Sequence, residues 1–132
     1  MEPKWLTKPK QQGNVPAPAA KELLLVEDDD HLRQSRLLLL TCIRSNVAVA
    51  TADSLPLTIP VHTNIGLAVI AMHSAPRTAS AATWVRKCWP QAKILLLGSS
   101  FAGLSKELYD EKCDPCCNPV GLVEVSRKLL DH

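Results

Sequence analysis

Short aliphatic runs alternate along this chain with stretches in which apolar residues have helical spacing. The runs are uniformly apolar, as expected for strands that are buried on both faces of a parallel sheet. They lie at residues 23–26, 47–50, 67–72 and 94–97, and a brief fifth run is centred on Cys116 and Cys117. Strands that alternate with helices in this way predict an α/β fold, in which helices cover both faces of a five-stranded sheet.

About five helices are expected between and after these strands. The first begins with Asp30 as its N-cap, and a distorted or one-turn helix falls within 53–66. A short helix is predicted at 104–109, and regular helices at 79–89 and 121–130. The second helix is expected to be irregular because Pro56 and Pro60 have no amide hydrogen to donate. Each regular helix has apolar residues that can face the sheet.

The first twenty residues have a different composition from the rest. They contain four of the ten prolines and three lysines, but few apolar residues. Such a segment cannot bury enough apolar surface to offset the entropy lost on ordering. The predicted organisation is therefore a disordered N-terminal tail at 1–20 and one domain at 21–132.

Composition and charge narrow the function classes. Hydrophobic residues make up 46% of the chain, no apolar run approaches the roughly 18 residues of a spanning helix, and no secretory signal is visible. The formal net charge of +2 is too small, and too scattered, to predict direct nucleic-acid binding. We therefore expect a cytoplasmic protein without membrane contact, whose five cysteines are reduced thiols.

Four segments resemble the receiver domains of bacterial response regulators, the CheY-like family. LLLVEDDDHLRQSRLLLL is similar to the first strand, acidic pair and first helix of that family, and LAVIAMHSAP to its third strand. AKILLLGSS and CDPCCNPVGLVEVSRKLL are similar to the fourth strand and to the end of the domain. The resemblance covers 21–132 and implies a doubly wound sheet of strand order 2-1-3-4-5, together with a role in two-component (phosphorelay) signal transduction.

The resemblance also assigns the family's functional positions. It places the metal-binding acids at Glu27 and Asp28, the phosphoacceptor at Met72, the lysine position at Asn118, and the switch hydroxyl at Gly98 or Ser99. A methionine thioether neither accepts a phosphoryl group nor binds the hard Mg²⁺ ion. We therefore expect no aspartyl phosphorylation and a vestigial site in which Mg²⁺ binding is weak or absent, with no other cofactor. Met72→Asp is expected to complete a three-carboxylate magnesium site.

These substitutions predict a pseudo-receiver, which is not an enzyme and which acts by protein–protein contact. The resemblance places the contact surface at about residues 101–130, and the partner is another protein or a second copy of the chain. An alternative interpretation is a thiol redox or metal-sensing module on the same fold. That module would use Cys113, Cys116 and Cys117, which form a C-x2-C-C cluster.

Overall fold

A single parallel sheet organises the chain. The computed structural model describes residues 21–44, 46–55, 59, 63–71, 74–98, 104–113 and 119–131. In them the strands are β1 (Glu22–Glu27), β2 (Val47–Ala50), β3 (Ile65–Ala71), β4 (Lys93–Leu97) and β5 (Glu111–Cys113). All neighbouring strands are parallel, and their order is β2-β1-β3-β4-β5. The predicted five-stranded α/β fold with strand order 2-1-3-4-5 is confirmed.

The uniform apolarity of the central strands follows from burial on both faces. All seven residues of β3 are buried, as are the last five of β1. Successive side chains of a strand point to opposite faces, so each strand contributes to two separate cores. One core contains Leu24, Val26, Ala68, Ile70, Ile94 and Leu96, and the other contains Leu23, Leu25, Leu67, Val69, Leu95 and Leu97.

Helices cover these two cores. The described residues form α1 (Asp30–Leu40), α2 (Ala75–Cys88), a 3-10 turn (Lys106–Leu108) and α3 (Pro119–Leu130). Helix α2 packs on the first core, while α1 and α3 pack on the second. None of these helices is long and apolar enough to cross a membrane. Residues 56–58 and 60–62 of the predicted distorted helix lie outside the described residues, as does the tail at 1–20. Ile65 and Gly66, at the predicted end of that segment, belong to β3.

The helix starts differ from the predicted ones. Asp29, not Asp30, is the N-cap of α1, and its carboxylate accepts the amide hydrogen of Leu32 at 2.9 Å. Helix α2 begins at Ala75, four residues before the predicted start, with Ser74 as its N-cap. Pro76 is compatible with this early start because the first turn of a helix needs no amide donor there.

The fifth strand was also predicted in the wrong place. The strand that pairs with β4 is Glu111–Cys113, whose register joins Leu95 to Glu111 and Leu97 to Cys113. It is a short edge strand with an exposed glutamate and lysine, so it has no aliphatic run that could mark it in the sequence. Cys116 and Cys117, on which the prediction rested, lie outside the described residues.

Candidate functional site

Acidic residues gather where β1 and β2 end, at the carboxyl edge of the sheet. Strand β1 ends at Glu27, which pairs in register with Ala71, the last residue of β3. Asp28 follows Glu27 directly, and Asp53 lies just beyond β2. Ligand sites of open parallel sheets form at this edge, which makes the group of Glu27, Asp28 and Asp53 the candidate site. We call it the acidic corner.

Glu27 is fully buried and is held by α1. Its carboxylate forms an ion pair with Arg36, and the second oxygen accepts the amide hydrogen of Asp29 at 3.1 Å. The backbone oxygen of Glu27 also accepts a hydrogen bond from Arg33 at 3.0 Å. A buried carboxylate is tolerated only when it is paired and hydrogen-bonded, and both conditions are met here.

Asp28 is held by α2 and by the turn after β2. Its Oδ1 accepts the amide hydrogen of Ala52 at 3.0 Å, while its Oδ2 accepts from Nε of Arg77 at 2.9 Å and lies 2.7 Å from Nη2. The same Nη2 lies 3.6 Å from Oδ2 of Asp53. The hydrogen bond to Asp28, followed by the negative charges of Asp28 and Asp53, raises the pKa of Arg77 above its ordinary value. Arg77 therefore remains a cation at every pH at which proteins are usually handled.

The fold family implies a magnesium ion at this corner, but the residues present do not fit one. Mg²⁺ requires near-octahedral oxygen ligands that are free to point at the ion. Here both oxygens of Asp28 already accept hydrogen bonds, and both oxygens of Glu27 do as well. Two guanidinium charges also lie where they would repel a metal ion. In the part of the chain that the structure describes, no three metal-binding side chains cluster together.

The other predicted site residues are only partly described. Gly98 follows β4 with a φ of 142°, a conformation that favours glycine, and its amide donates to the carbonyl oxygen of Cys113 at 3.2 Å. Met72, Ser99 and Asn118 lie outside the described residues, and so do Cys116 and Cys117. Cys113 is a half-buried thiol at the end of β5. The assignment of Met72, Asn118 and Gly98 or Ser99 to receiver positions, and the thiol interpretation, stay predictions.

Sequence reasoning missed Arg36 and Arg77, which neutralise the two predicted metal-binding acids. For Arg77 a signal was present, because Ser74 and Pro76 form a helix-start pattern that would place Arg77 in the first turn of the helix. For Arg36 the signal was weaker. It lies nine residues beyond Glu27, on a helix whose orientation only the packed structure defines.

Proteins similar to this chain are found among solved structures. No protein-family model matches it, and no curated protein does. Among solved structures, the signal receiver domain of an HD domain-containing protein from Pseudomonas fluorescens Pf-5 is similar, with a TM-score of 0.69 and 15% identity over 92% of this chain and 94% of that one. A CheY-like response regulator receiver domain protein from Methanospirillum hungatei JF-1 has a TM-score of 0.66 and 23% identity, over 86% and 95% of the two chains.

A third similar structure is a response regulator receiver protein from Sinorhizobium medicae WSM419. It has a TM-score of 0.63 and 17% identity, over 86% of this chain and 96% of that one. At these identities the likeness concerns the fold. The chain has the fold of CheY-like receiver domains, over nearly the whole length of those domains.

Proposed function

We propose that this chain is a pseudo-receiver: a non-enzymatic signalling module of the two-component type that acts by protein contact, without aspartyl phosphorylation. The observation that carries the proposal is the register of β1 and β3. Glu27, the last residue of β1, pairs with Ala71, the last residue of β3, and Met72 is the next residue in the sequence. This register supports the assignment of Met72 to the phosphoacceptor position, where receivers have a carboxylate and this chain would have a thioether.

The electrostatics of the acidic corner support the same proposal. Phosphoryl transfer depends on a positioned cation that offsets the charge of the transferring group. In receivers that cation is held by free carboxylate oxygens, whereas the oxygens of Glu27 and Asp28 accept hydrogen bonds from the chain itself. Neither the nucleophile nor the metal-binding oxygens are available in the form that the reaction needs.

A phosphorylation assay tests this proposal. The purified chain is incubated with acetyl phosphate and magnesium, next to a phosphorylation-competent receiver as the positive control, and both are measured by intact mass. We expect no added phosphoryl group on this chain. A hydroxylamine-labile gain of one phosphoryl group would overturn the proposal, because that lability is characteristic of an acyl phosphate.

The proposed contact surface, at about residues 101–130, includes the outer face of α3 and extends onto α1 and the turn after it. A groove of about 310 Å³ runs between α1 and α3. It is lined by Leu39, Cys42, Val120, Val123, Glu124 and Arg127, among others. Val120 is 63% exposed, which is unusual for a large aliphatic side chain on a helix that otherwise packs inward. The surface thus offers apolar area with charges at its edge.

The occupant that we propose for this groove is a second copy of the chain. A two-fold interface brings the same patch of both copies together, so the patch must be complementary to itself. Glu124 and Arg127 have opposite charges on one helix and line the same groove. In a two-fold pair each can face its opposite on the partner copy, and the charges support that arrangement over a partner of uniform charge.

Charge reversal tests the homodimer. We expect the parent chain to show a concentration-dependent mass in sedimentation equilibrium. Glu124→Arg and Arg127→Glu should each weaken self-association, because like charges then meet across the interface. Mixing the two variants should restore it, since one copy is then positive and the other negative. A monomeric parent, or a mixture no better than either variant alone, would refute the homodimer but leave the phosphorylation result unaffected.

A further inference from the structure

The position of Arg77 relative to its carboxylates is the most informative feature of the acidic corner. Its guanidinium contacts Asp28, which follows β1, and approaches Asp53, which follows β2, while its backbone belongs to the first turn of α2. One cation thereby joins three elements that have no covalent connection at this edge. A metal ion bound between carboxylates would join the same parts of the chain.

The local hydrogen bonds hold Arg77 in this position. Ser74 caps α2 by accepting the amide hydrogen of Arg77 at 3.3 Å, which fixes the backbone from which the side chain extends. Asp28 is in turn fixed from its other side by the amide of Ala52. The carboxylate and the guanidinium therefore meet with both backbones already placed, so little further ordering is needed for the contact.

We propose that the Arg77 guanidinium is a built-in cation that replaces the divalent metal of the receiver site. It neutralises Asp28 and Asp53 and ties α2 to the ends of β1 and β2, so the corner is organised without any metal ion. This inference concerns the chain alone and does not depend on a partner. It would hold even if the homodimer proposed above were absent.

The proposal makes the response to divalent ions depend on one side chain. In the parent chain, Mg²⁺ must compete with a covalently attached cation and should have no effect. In Arg77→Gln the charge of Asp28 and Asp53 is no longer offset, and two carboxylates then lie at one corner. A divalent ion should bind there weakly and restore part of the stability that the substitution removes.

The matched control is Arg86→Gln. Arg86 lies on the same helix as Arg77 and forms an ion pair with Asp110 at 3.1 Å. Its partner is not one of the residues of the acidic corner. Arg86→Gln removes the same charge as Arg77→Gln but leaves the contacts of Asp28 and Asp53 with Arg77 in place. Arg77→Gln combined with Asp28→Asn is the second control, because it lacks the carboxylate that the ion would need.

Two measurements at constant ionic strength test the proposal. The first is the melting temperature with millimolar Mg²⁺ or with EDTA. We expect no difference for the parent and the two controls, and a rise of about 4 °C with Mg²⁺ for Arg77→Gln. The second is broadening of the Ala52 amide signal by paramagnetic Mn²⁺, because this amide contacts Asp28 directly. Broadening should occur in Arg77→Gln only.

Either of two results would overturn the inference. If Mg²⁺ stabilises the parent chain, or Mn²⁺ broadens its Ala52 signal, then Arg77 does not exclude the metal. If Arg77→Gln responds to divalent ions no more than Arg86→Gln does, then Arg77 is an ordinary surface ion pair and not a replacement for the ion. The NMR readout decides the matter even if the variant is too unstable for a clear melting transition, because it reports on the remaining folded chain.

Discussion

The ion pair between Glu27 and Arg36 leads to a prediction whose size follows from burial. Glu27 has no exposed surface, and the Arg36 side chain is 14% exposed. Arg36→Met keeps most of the side-chain volume but leaves the carboxylate without its cation. Removing one partner of a buried ion pair typically costs about 3 to 5 kcal/mol. We expect about 3 kcal/mol, the lower end of that range, because the amide of Asp29 still donates to the carboxylate.

The opposite change should behave differently. Glu27→Met removes the buried charge, and the remaining Arg36 can turn its guanidinium toward solvent, so a loss of about 1 to 2 kcal/mol is expected. The free energy of unfolding of the double variant should be close to that of Glu27→Met, the less destabilised single variant, since a buried pair can be replaced by apolar side chains at little cost. The losses are therefore predicted to be non-additive, with a coupling free energy of about 3 kcal/mol.

Urea unfolding followed by circular dichroism measures these differences in the free energy of unfolding. Asp30→Asn is the matched control, because it breaks the other ion pair of α1, that of Arg33 with an aspartate that is 79% exposed. This exposed pair should contribute less than about 1 kcal/mol. The reasoning is refuted if Arg36→Met costs no more than Asp30→Asn, or if the two single losses simply add in the double variant.

Two further predictions concern α2 and the acidic corner. The amide of Ile94 and the guanidinium of Arg86 both donate to Oδ2 of Asp110, at 2.8 and 3.1 Å. Asp110→Ala should therefore lower the free energy of unfolding, measured with urea, by about 2 kcal/mol. A loss no larger than that of Arg86→Gln would contradict this prediction. The folded-state pKa of Arg77 is raised above its ordinary value. The contribution of its charge to stability is therefore fully present below the unfolded-state pKa, and it is lost only as the pH rises through the folded-state pKa. Mg²⁺ should therefore leave the melting temperature of the parent chain unchanged at about pH 9, as at about pH 7. A change in melting temperature with Mg²⁺ that appears only at the higher pH would show that the guanidinium does not block the corner.

The central strands could be predicted from the sequence because burial on both faces leaves a strong local pattern. Strands β1, β3 and β4 are aliphatic along most of their length, and the predicted runs overlap all three. Strand β5 has only one apolar residue among its three, so pairing with β4 defines it and composition does not. The order of the strands came from the resemblance, since no local pattern specifies which strand lies beside which.

The acidic corner could be predicted only in part. The acids were visible because Glu27 and Asp28 follow a buried strand directly, and the edge at which parallel strands end is known in advance. Their partners were not predicted, because Arg77 is forty-nine residues from Asp28 in the chain. Whether an arginine reaches a given carboxylate depends on where the helix starts, and the predicted start of α2 was four residues too late to place Arg77 on it.

The paired arginines change what a repair of the site requires. With sequence alone, Met72→Asp is expected to complete a magnesium site, because it adds a third carboxylate beside Glu27 and Asp28. Under the proposed assignment of Met72, the added charge would meet a corner whose existing carboxylates are already neutralised, and Arg77 could pair with it as readily as a metal could. The acids at the end of β1 consequently contribute to the fold as partners of Arg36 and Arg77, whether or not a metal is ever present. A receiver-like metal site would thus need both a new carboxylate at Met72 and the loss of the cation at Arg77.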